Sequence, residues 1–420
     1  MGRDEAVSVL IVRHPLGDLL PLLAAHEVHP AAYFLALWAW PHATPVEARL
    51  LSWLPAVGCI PLTYLAGARL GLERPWLAGL AAATSPFLAY YAEEARMYAW
   101  LALFGAAALL LLASLPEQPG RRWGVGLGLL LAGGMYVHYY ALFTAAGALA
   151  VLAWRRRWGV AGMAAGVAAT AFVPGLVLLL QQLPVFFLYP TEPWQDKLTL
   201  PGLYAVSGLL FGASEYYEPG RRLALLLAIP ALYGLVRAPT PVKLLLAFGA
   251  GLPLLLGIFT TALSARYLAA SVPALLVCLA FALDSLPGRI AIPAAAAAGL
   301  LGAGLVAYAD LRYDNLKPPT PEFLAQARSS GALLVVSHRH FAPQVAYYAP
   351  GGEAFSFPPP AVDHVGLWAI PPGLPYPPAD GRPLLFVGYC SDALPLPAGY
   401  RVEGVVRYRG NDLCVTSAAR

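Results

Sequence analysis

The chain has 420 residues, of which 59% are hydrophobic and only 12% charged, about half the roughly 25% of an ordinary soluble domain. A mean hydropathy of +0.62 requires apolar segments to recur along most of the length, which excludes a soluble globular fold or a soluble domain on a single anchor. The net charge of +4, from 27 Lys plus Arg against 23 Asp plus Glu, is too small an excess to indicate nucleic-acid binding and is expected to reflect topology.

Residues 6–12 are apolar but far shorter than the roughly 20 residues of a span, and nothing there reads as a signal peptide. Residues 15–28 carry Leu16, Leu19, Leu20, Leu22 and Leu23 on a partly helical period, which predicts a helix lying in the outer membrane interface. Apolar stretches then follow near 31–40, 47–70, 76–92, 95–115, 123–137, 139–154, 158–182, 221–237, 242–263, 266–283 and 289–308. The first is too short to cross, and the others, taken alternately, put gaps 69–75, 116–123, 155–158, 237–243 and 284–289 on one face. Those gaps hold Arg69, Arg74, Arg121, Arg122, Arg155, Arg156, Arg157, Arg237, Lys243 and Arg289 against only Glu73, Glu117 and Asp284. That bias makes the face cytoplasmic. Asp4, Glu5, Glu27, Glu93, Glu94, Glu192, Asp196, Glu215 and Glu218 are then external, with His14, His26, His29, His42 and His138.

The expected architecture is an all-α, multi-pass integral protein of the cell's inner or plasma membrane over 1–308, with about ten to eleven spans. Since residues 1–30 must be external and nothing before them can cross, a first span is expected to be missing upstream, as a late start codon would produce. Beyond 308 the composition turns to that of a soluble domain, so 309–420 is expected to form a small extracytoplasmic α/β unit. Thr320-Pro321-Glu322 reads as a capped helix start running to about Ser329. Residues 333–337, 384–389 and 404–408 read as strands. Cys59 and Cys278 lie inside apolar spans and read as small hydrophobes. Cys390 and Cys414 share the external domain, where an oxidising compartment permits a disulfide. It would close about two dozen residues and contribute on the order of 3 kcal/mol, although two cysteines in one domain need not lie close enough to bridge.

Candidate chemistry collects at external span edges, where a polar site meets both water and a lipid-borne ligand. Asp4-Glu5 followed by His29-Pro30 is either a solvated acidic terminus or a site. Tyr90-Tyr91-Ala92-Glu93-Glu94-Ala95-Arg96-Met97-Tyr98 falls where one span ends and the next begins. Ionisable groups so close to hydrocarbon point to function, while the plain alternative is an aromatic belt with an Arg anchor and a Glu–Arg pair. Tyr136-Val137-His138-Tyr139-Tyr140 is a belt with a hydrogen-bonded histidine, or part of a site. Arg266, in Ser264-Ala265-Arg266-Tyr267-Leu268, either snorkels or binds phosphate through paired hydrogen bonds. The loop 183–220 adds Trp194, Asp196 and Lys197. A carboxylate base with arginines at a lipid interface is what transfer from a lipid-linked phosphate donor needs.

The order of these pieces resembles the polytopic GT-C-type glycosyltransferases of the protein-mannosyltransferase and aminoarabinose-transferase kind. The matching pieces are Asp4-Glu5-Ala6, residues 15–25, His29-Pro30-Ala31-Ala32-Tyr33, residues 49–55, Ser85-Pro86-Phe87 and the run from Tyr91 to Tyr98. His138-Tyr139-Tyr140 and Arg266-Tyr267-Leu268 extend the likeness over about residues 4–283. The chain departs from that pattern at Gly2-Arg3, where an aromatic residue often precedes the acidic pair, at Ala31 in place of a second Pro, and at Glu93 in place of Gln.

What the resemblance implies is inverting transfer of a hexose or pentose from a polyprenyl-phosphate donor to a lipid, glycan or protein acceptor outside the membrane. Asp4 is then the expected base, with Glu5 and Glu94 positioning the acceptor or a divalent ion such as Mg or Mn. Arg96 and Arg266 would hold the phosphate. His29 and His138 would hydrogen-bond in the site or ligate metal, with Glu93, Tyr98, Tyr139 and Tyr267 as further members. No metal-ligand spacing is recognisable. A transporter or lipid flippase would need charges at the bilayer midplane and broken helices, whereas the charges here sit at span edges. A catalytically inactive membrane scaffold whose outer domain binds a partner is the remaining alternative.

Overall fold

In the computed structural model of the chain the described residues are 3–188, 198–212, 220–259, 263–312, 320–336, 341–349, 354–356, 382–389, 396, 399–407 and 413–419. Among the described residues the apolar stretches are mostly helical, and the protein is an all-α multi-pass membrane protein with a small mixed sheet near the C-terminus. It folds as two compact units, Val28–Ala309 and Met1–Glu27 with Asp310–Arg420.

Within Val28–Ala309 the helix Pro45–Arg69 begins with a capping box. Thr44 Oγ1 accepts the Glu47 N–H at 3.2 Å and the Thr44 N–H donates to Glu47 Oε2 at 2.9 Å, satisfying two of the donors that a helix start leaves open. Four segments among the described residues are long and apolar enough to cross a membrane: Pro45–Arg69, Thr240–Phe259, Ala265–Asp284 and Gly288–Ala307. A fifth arises if Trp158–Ala171 and Val173–Val185, bent by 57° at their junction, count as one.

The hydropathy windows gave ten, because a window runs across breaks that the backbone does not. The stretch 76–92 is two helices, Trp76–Ala83 and Pro86–Ala92, since Ser85 caps the second and Pro86 opens it. Tyr98–Ala113, Arg121–Val137 and Ala141–Trp154 are shorter than 18 residues. Thr240–Phe259 crosses a π-helical turn at Ala247–Gly251.

Two glycines let helices close on one another. A Cβ on Gly105 would fall on the Ala270 carbonyl, and one on Gly234 on the Cys278 carbonyl. Glycine at these positions is therefore required by the approach of one backbone to another.

The other unit holds a five-stranded sheet of β1 (Leu333–Val336), β2 (Ala354–Ser356), β3 (Leu384–Tyr389), β4 (Arg401–Arg407) and β5 (Leu413–Ala419), in the order β2-β1-β3-β5-β4. β1 pairs in parallel with β2 and β3, while β5 runs antiparallel to β3 and β4. β1 is buried at every position, as befits a strand between parallel neighbours. Leu333, Val335, Leu384, Phe386, Tyr400 and Ala418 form its core. The expected helix is Thr320–Ser330, while β2 and β5 went unread in the sequence. The residues too short to span form a helix, Arg3–Val12, whose Val9 and Ile11 are fully buried. It packs on helix Ala342–Tyr348, where Arg13 lies 4.8 Å over the Tyr347 ring, so the first 27 residues group with those after 309 and not with the spans.

Candidate functional site

Within Val28–Ala309 the run from Glu93 to Met97 is a tight reversal between the helices Pro86–Ala92 and Tyr98–Ala113. The reversal places Glu93 outside, whereas Glu94 and Arg96 are buried. The Arg96 N–H donates to the Glu94 carbonyl at 2.7 Å. Ser52 Oγ donates to the Arg96 carbonyl at 3.0 Å. With its one proton so used, Ser52 Oγ accepts from Tyr33 Oη, also at 3.0 Å. Trp100 Nε1 donates to the Leu51 carbonyl at 2.8 Å. The reversal is thus fixed to the face of Pro45–Arg69, and Arg96 with it.

His138 closes the helix Arg121–Val137 in an extended conformation, its N–H still bonded to the Gly134 carbonyl at 2.9 Å. Its ring turns inward, and only 4% of the residue is exposed. Ring centroids of Tyr267, His29 and Tyr98 lie 4.8, 5.6 and 6.0 Å from it. Tyr98 stacks on Tyr267 at 6.4 Å, and the Arg266 guanidinium carbon sits 5.6 Å from the Tyr98 centroid. Burial holds the His138 imidazole well below its ordinary range, and the nearby His29, Arg96 and Arg266 push the same way. The ring is therefore neutral at pH 7.

Tyr139 reaches the cluster through Gln182, which the sequence analysis did not single out. Gln182 is fully buried, accepts from Tyr139 Oη at 2.6 Å through Oε1 and donates through Nε2 to the His29 carbonyl at 3.0 Å. The signal was there: Gln181-Gln182 is a polar break in an otherwise apolar helix, Val173–Leu188, and a buried amide needs partners. Tyr140, 4.9 Å from Tyr267 and 5.6 Å from His138, is a second addition.

Of the expected site residues, His29, Arg96, Tyr98, His138, Arg266 and Tyr267 are thus neighbours, Tyr139 is one hydrogen bond further out, and Glu94 is buried two residues before Arg96. Glu93 instead ends its helix and faces outward. Asp4 and Glu5 lie in the first turn of Arg3–Val12 in the other unit, Asp4 half-buried and Glu5 buried. A carboxylate there interacts favourably with the helix N-terminus. Among the described residues no group of three or more His, Cys, Asp or Glu could hold a metal ion. Glu192, Trp194, Asp196, Lys197, Glu215, Glu218 and Cys390 lie outside the described residues. Cys414 is disulfide-bonded, whereas Cys59 and Cys278 are free and buried.

The helical arrangement is that of a polytopic membrane protein of the GT-C fold, as two solved structures show. ArnT from Cupriavidus metallidurans bound to undecaprenyl phosphate shares this fold with a TM-score of 0.63 at 14% identity, over 99% of this chain and 92% of that one. The same protein in the apo state matches with a TM-score of 0.64 at 13% identity, over 99% and 93%. No protein-family model and no curated protein sequence matches the chain.

Proposed function

We propose that the protein is an integral-membrane glycosyltransferase. It moves a sugar from a polyprenyl-phosphate donor to a lipid, glycan or protein acceptor on the extracytoplasmic face of the plasma membrane. The observation that carries this is the cluster of buried Arg96, His29 and His138 with partly buried Arg266, lined by Tyr98 and Tyr267, in a fold shared with a protein that binds undecaprenyl phosphate. Guanidinium forks suit phosphate oxygens, which accept from them in pairs. The arginine-rich gaps favour a cytoplasmic side for the opposite ends of the spans; on this reading 309–420 is extracytoplasmic and Val28–Ala309 is the membrane part.

In the reaction an acceptor oxygen attacks the anomeric carbon with inversion, as the bond from that carbon to the phosphate oxygen breaks. The acceptor proton passes to the Asp4 carboxylate. The electron pair of the broken bond stays on the phosphate, where Arg96 and Arg266 stabilise the added charge. Glu5 and Glu94 position the acceptor, and His29, Tyr98, Tyr139 and Tyr267 line the site.

The test is reconstitution in liposomes with a panel of polyprenyl-phosphate sugars, scoring release of polyprenyl phosphate by the wild type and by Asp4→Asn. Release that requires Asp4 is the expected result. If no donor is turned over and polyprenyl phosphate does not bind, the scaffold alternative stands in its place.

A further inference from the structure

His138 has two ring nitrogens with different fates. Nδ1 lies 3.2 Å from the Tyr140 backbone nitrogen, whose only possible role is to donate. Nδ1 is therefore the lone-pair nitrogen, and in the neutral ring the proton is on Nε2. Nε2 is buried and has no hydrogen-bond partner among the described residues. A buried N–H without an acceptor is rare in folded proteins and calls for an explanation.

The groups around the ring say which acceptor fits. His29 faces it from the start of the unit, Arg96 and Tyr98 from the reversal and helix Tyr98–Ala113, Tyr140 from the turn into Ala141–Trp154, and Arg266 and Tyr267 from Ala265–Ser271. Nε2–H needs an acceptor, and the positive charges of Arg96 and Arg266 beside the ring favour an acceptor oxygen that carries negative charge. A neutral imidazole contributes its hydrogen bond without adding a third positive charge beside two guanidiniums.

We propose that His138, in its neutral form, holds the lipid-linked phosphate by donating its Nε2–H to a non-bridging phosphate oxygen. This rests on the polyprenyl-phosphate reading above and assigns to one residue a contact that the arginines alone do not supply. The side chain that can replace it is glutamine, whose Nε2 can reach the place of the imidazole Nε2. Asparagine is too short, its amide falling near the Nδ1 place, and phenylalanine keeps the ring shape but has no donor.

The experiment uses the full chain in nanodiscs and measures Kd for undecaprenyl phosphate and for undecaprenol, which lacks the phosphate. His138→Phe and His138→Asn are expected to weaken undecaprenyl phosphate binding about tenfold, or about 1.4 kcal/mol, while His138→Gln stays within about threefold of wild type. Undecaprenol should bind all four proteins alike, which shows that the variants are folded. The ratio of wild-type to Gln affinity should stay flat from about pH 6 to 8. The inference is overturned if Phe and Asn bind the phosphate as well as wild type, if Gln binds as weakly as Phe, or if the wild-type advantage grows on acidification, since the donor would then be an imidazolium. A wild type that binds no undecaprenyl phosphate would instead sink the glycosyltransferase reading on which the inference depends.

Discussion

The segment Ala265–Asp284 carries a charged residue near each end, and the two ends handle it in opposite ways. Near its start Arg266 lies over Tyr98, in a cluster where Arg96 and His29 also push against protonation of His138. At its far end Asp284 Oδ2 accepts the Glu73 N–H at 2.8 Å, and Oδ1 stands 3.9 Å from Arg74 Nη1. Arg74 is a quarter exposed and also donates to the Leu286 carbonyl at 3.3 Å. The far end is a structural tie between two loops, of the kind worth at most about 1 kcal/mol. The near end gathers cations around a buried ring, an arrangement that an entering anion stabilises. The far end is thus held by two opposite charges that meet, whereas the near end sets two arginines beside aromatic rings and a neutral imidazole.

The largest expected effect tests whether the cationic end serves a reaction at all. Asp4→Asn should lower polyprenyl phosphate release by about 10²- to 10⁴-fold with Kd for polyprenyl phosphate unchanged. A loss below tenfold would move the base to another carboxylate.

Arg266→Gln should weaken undecaprenyl phosphate binding by about 10- to 100-fold through loss of a charge-assisted bond, and Arg266→Lys should recover only part of it. Asp284→Asn should leave that Kd where it was. Equal losses at both ends would break the comparison.

The two close-packed glycines sharpen it. Gly105→Ala and Gly234→Ala each drive a methyl group into a carbonyl, and each should cost about 1–3 kcal/mol by overpacking, seen as a lower Tm in detergent. Only Gly105→Ala, which presses on Ala270 beside the Arg266 turn, should also weaken phosphate binding.

Acid gives a further effect. Because the folded protein keeps His138 neutral while an unfolded imidazole titrates near 6.5, the unfolded chain binds more protons below that value. Stability should therefore be complete above about pH 6.5 and fall on acidification, with His138→Gln removing that part of the slope. Thermal melts at pH 7.5 and 5.5 measure it.

The smallest change is expected for Asp284→Ala, which removes the acceptor of the Glu73 N–H and should cost about 0.5–1 kcal/mol. It should be visible as faster hydrogen exchange at Glu73.

Much of the site was legible because charge is rare in this chain. Arg96, Arg266 and His138 stand out against a background that is 59% hydrophobic, and a polar group in such surroundings is either paired or functional. Gln182 was harder to see, since an uncharged amide hardly changes a hydropathy average; its buried bonds to Tyr139 and to the His29 carbonyl join residues 43 and 153 positions away. Glu93 and Glu94 were told apart only by the family resemblance, not by their local pattern. Adjacent residues at the end of a helix point in different directions, and only the reversal decided that Glu94 goes in and Glu93 out. Strand β5 was missed because Leu413–Ala419 is rich in small residues, and it becomes a strand by pairing with both β3 and β4.

By itself the sequence determined that the protein is a polytopic membrane protein and where most of its apolar helices lie. Hydropathy and local helix signals act over a few turns, and nothing in the fold has to be known to read them. The tertiary structure alone decided that the first 27 residues pack with those beyond 309, that Gly105 admits the Arg266 turn against Tyr98–Ala113, and that the His138 ring faces His29, Arg96 and Arg266 from distant parts of the chain. These depend on which helix faces meet, and that is set by close packing between segments far apart in sequence.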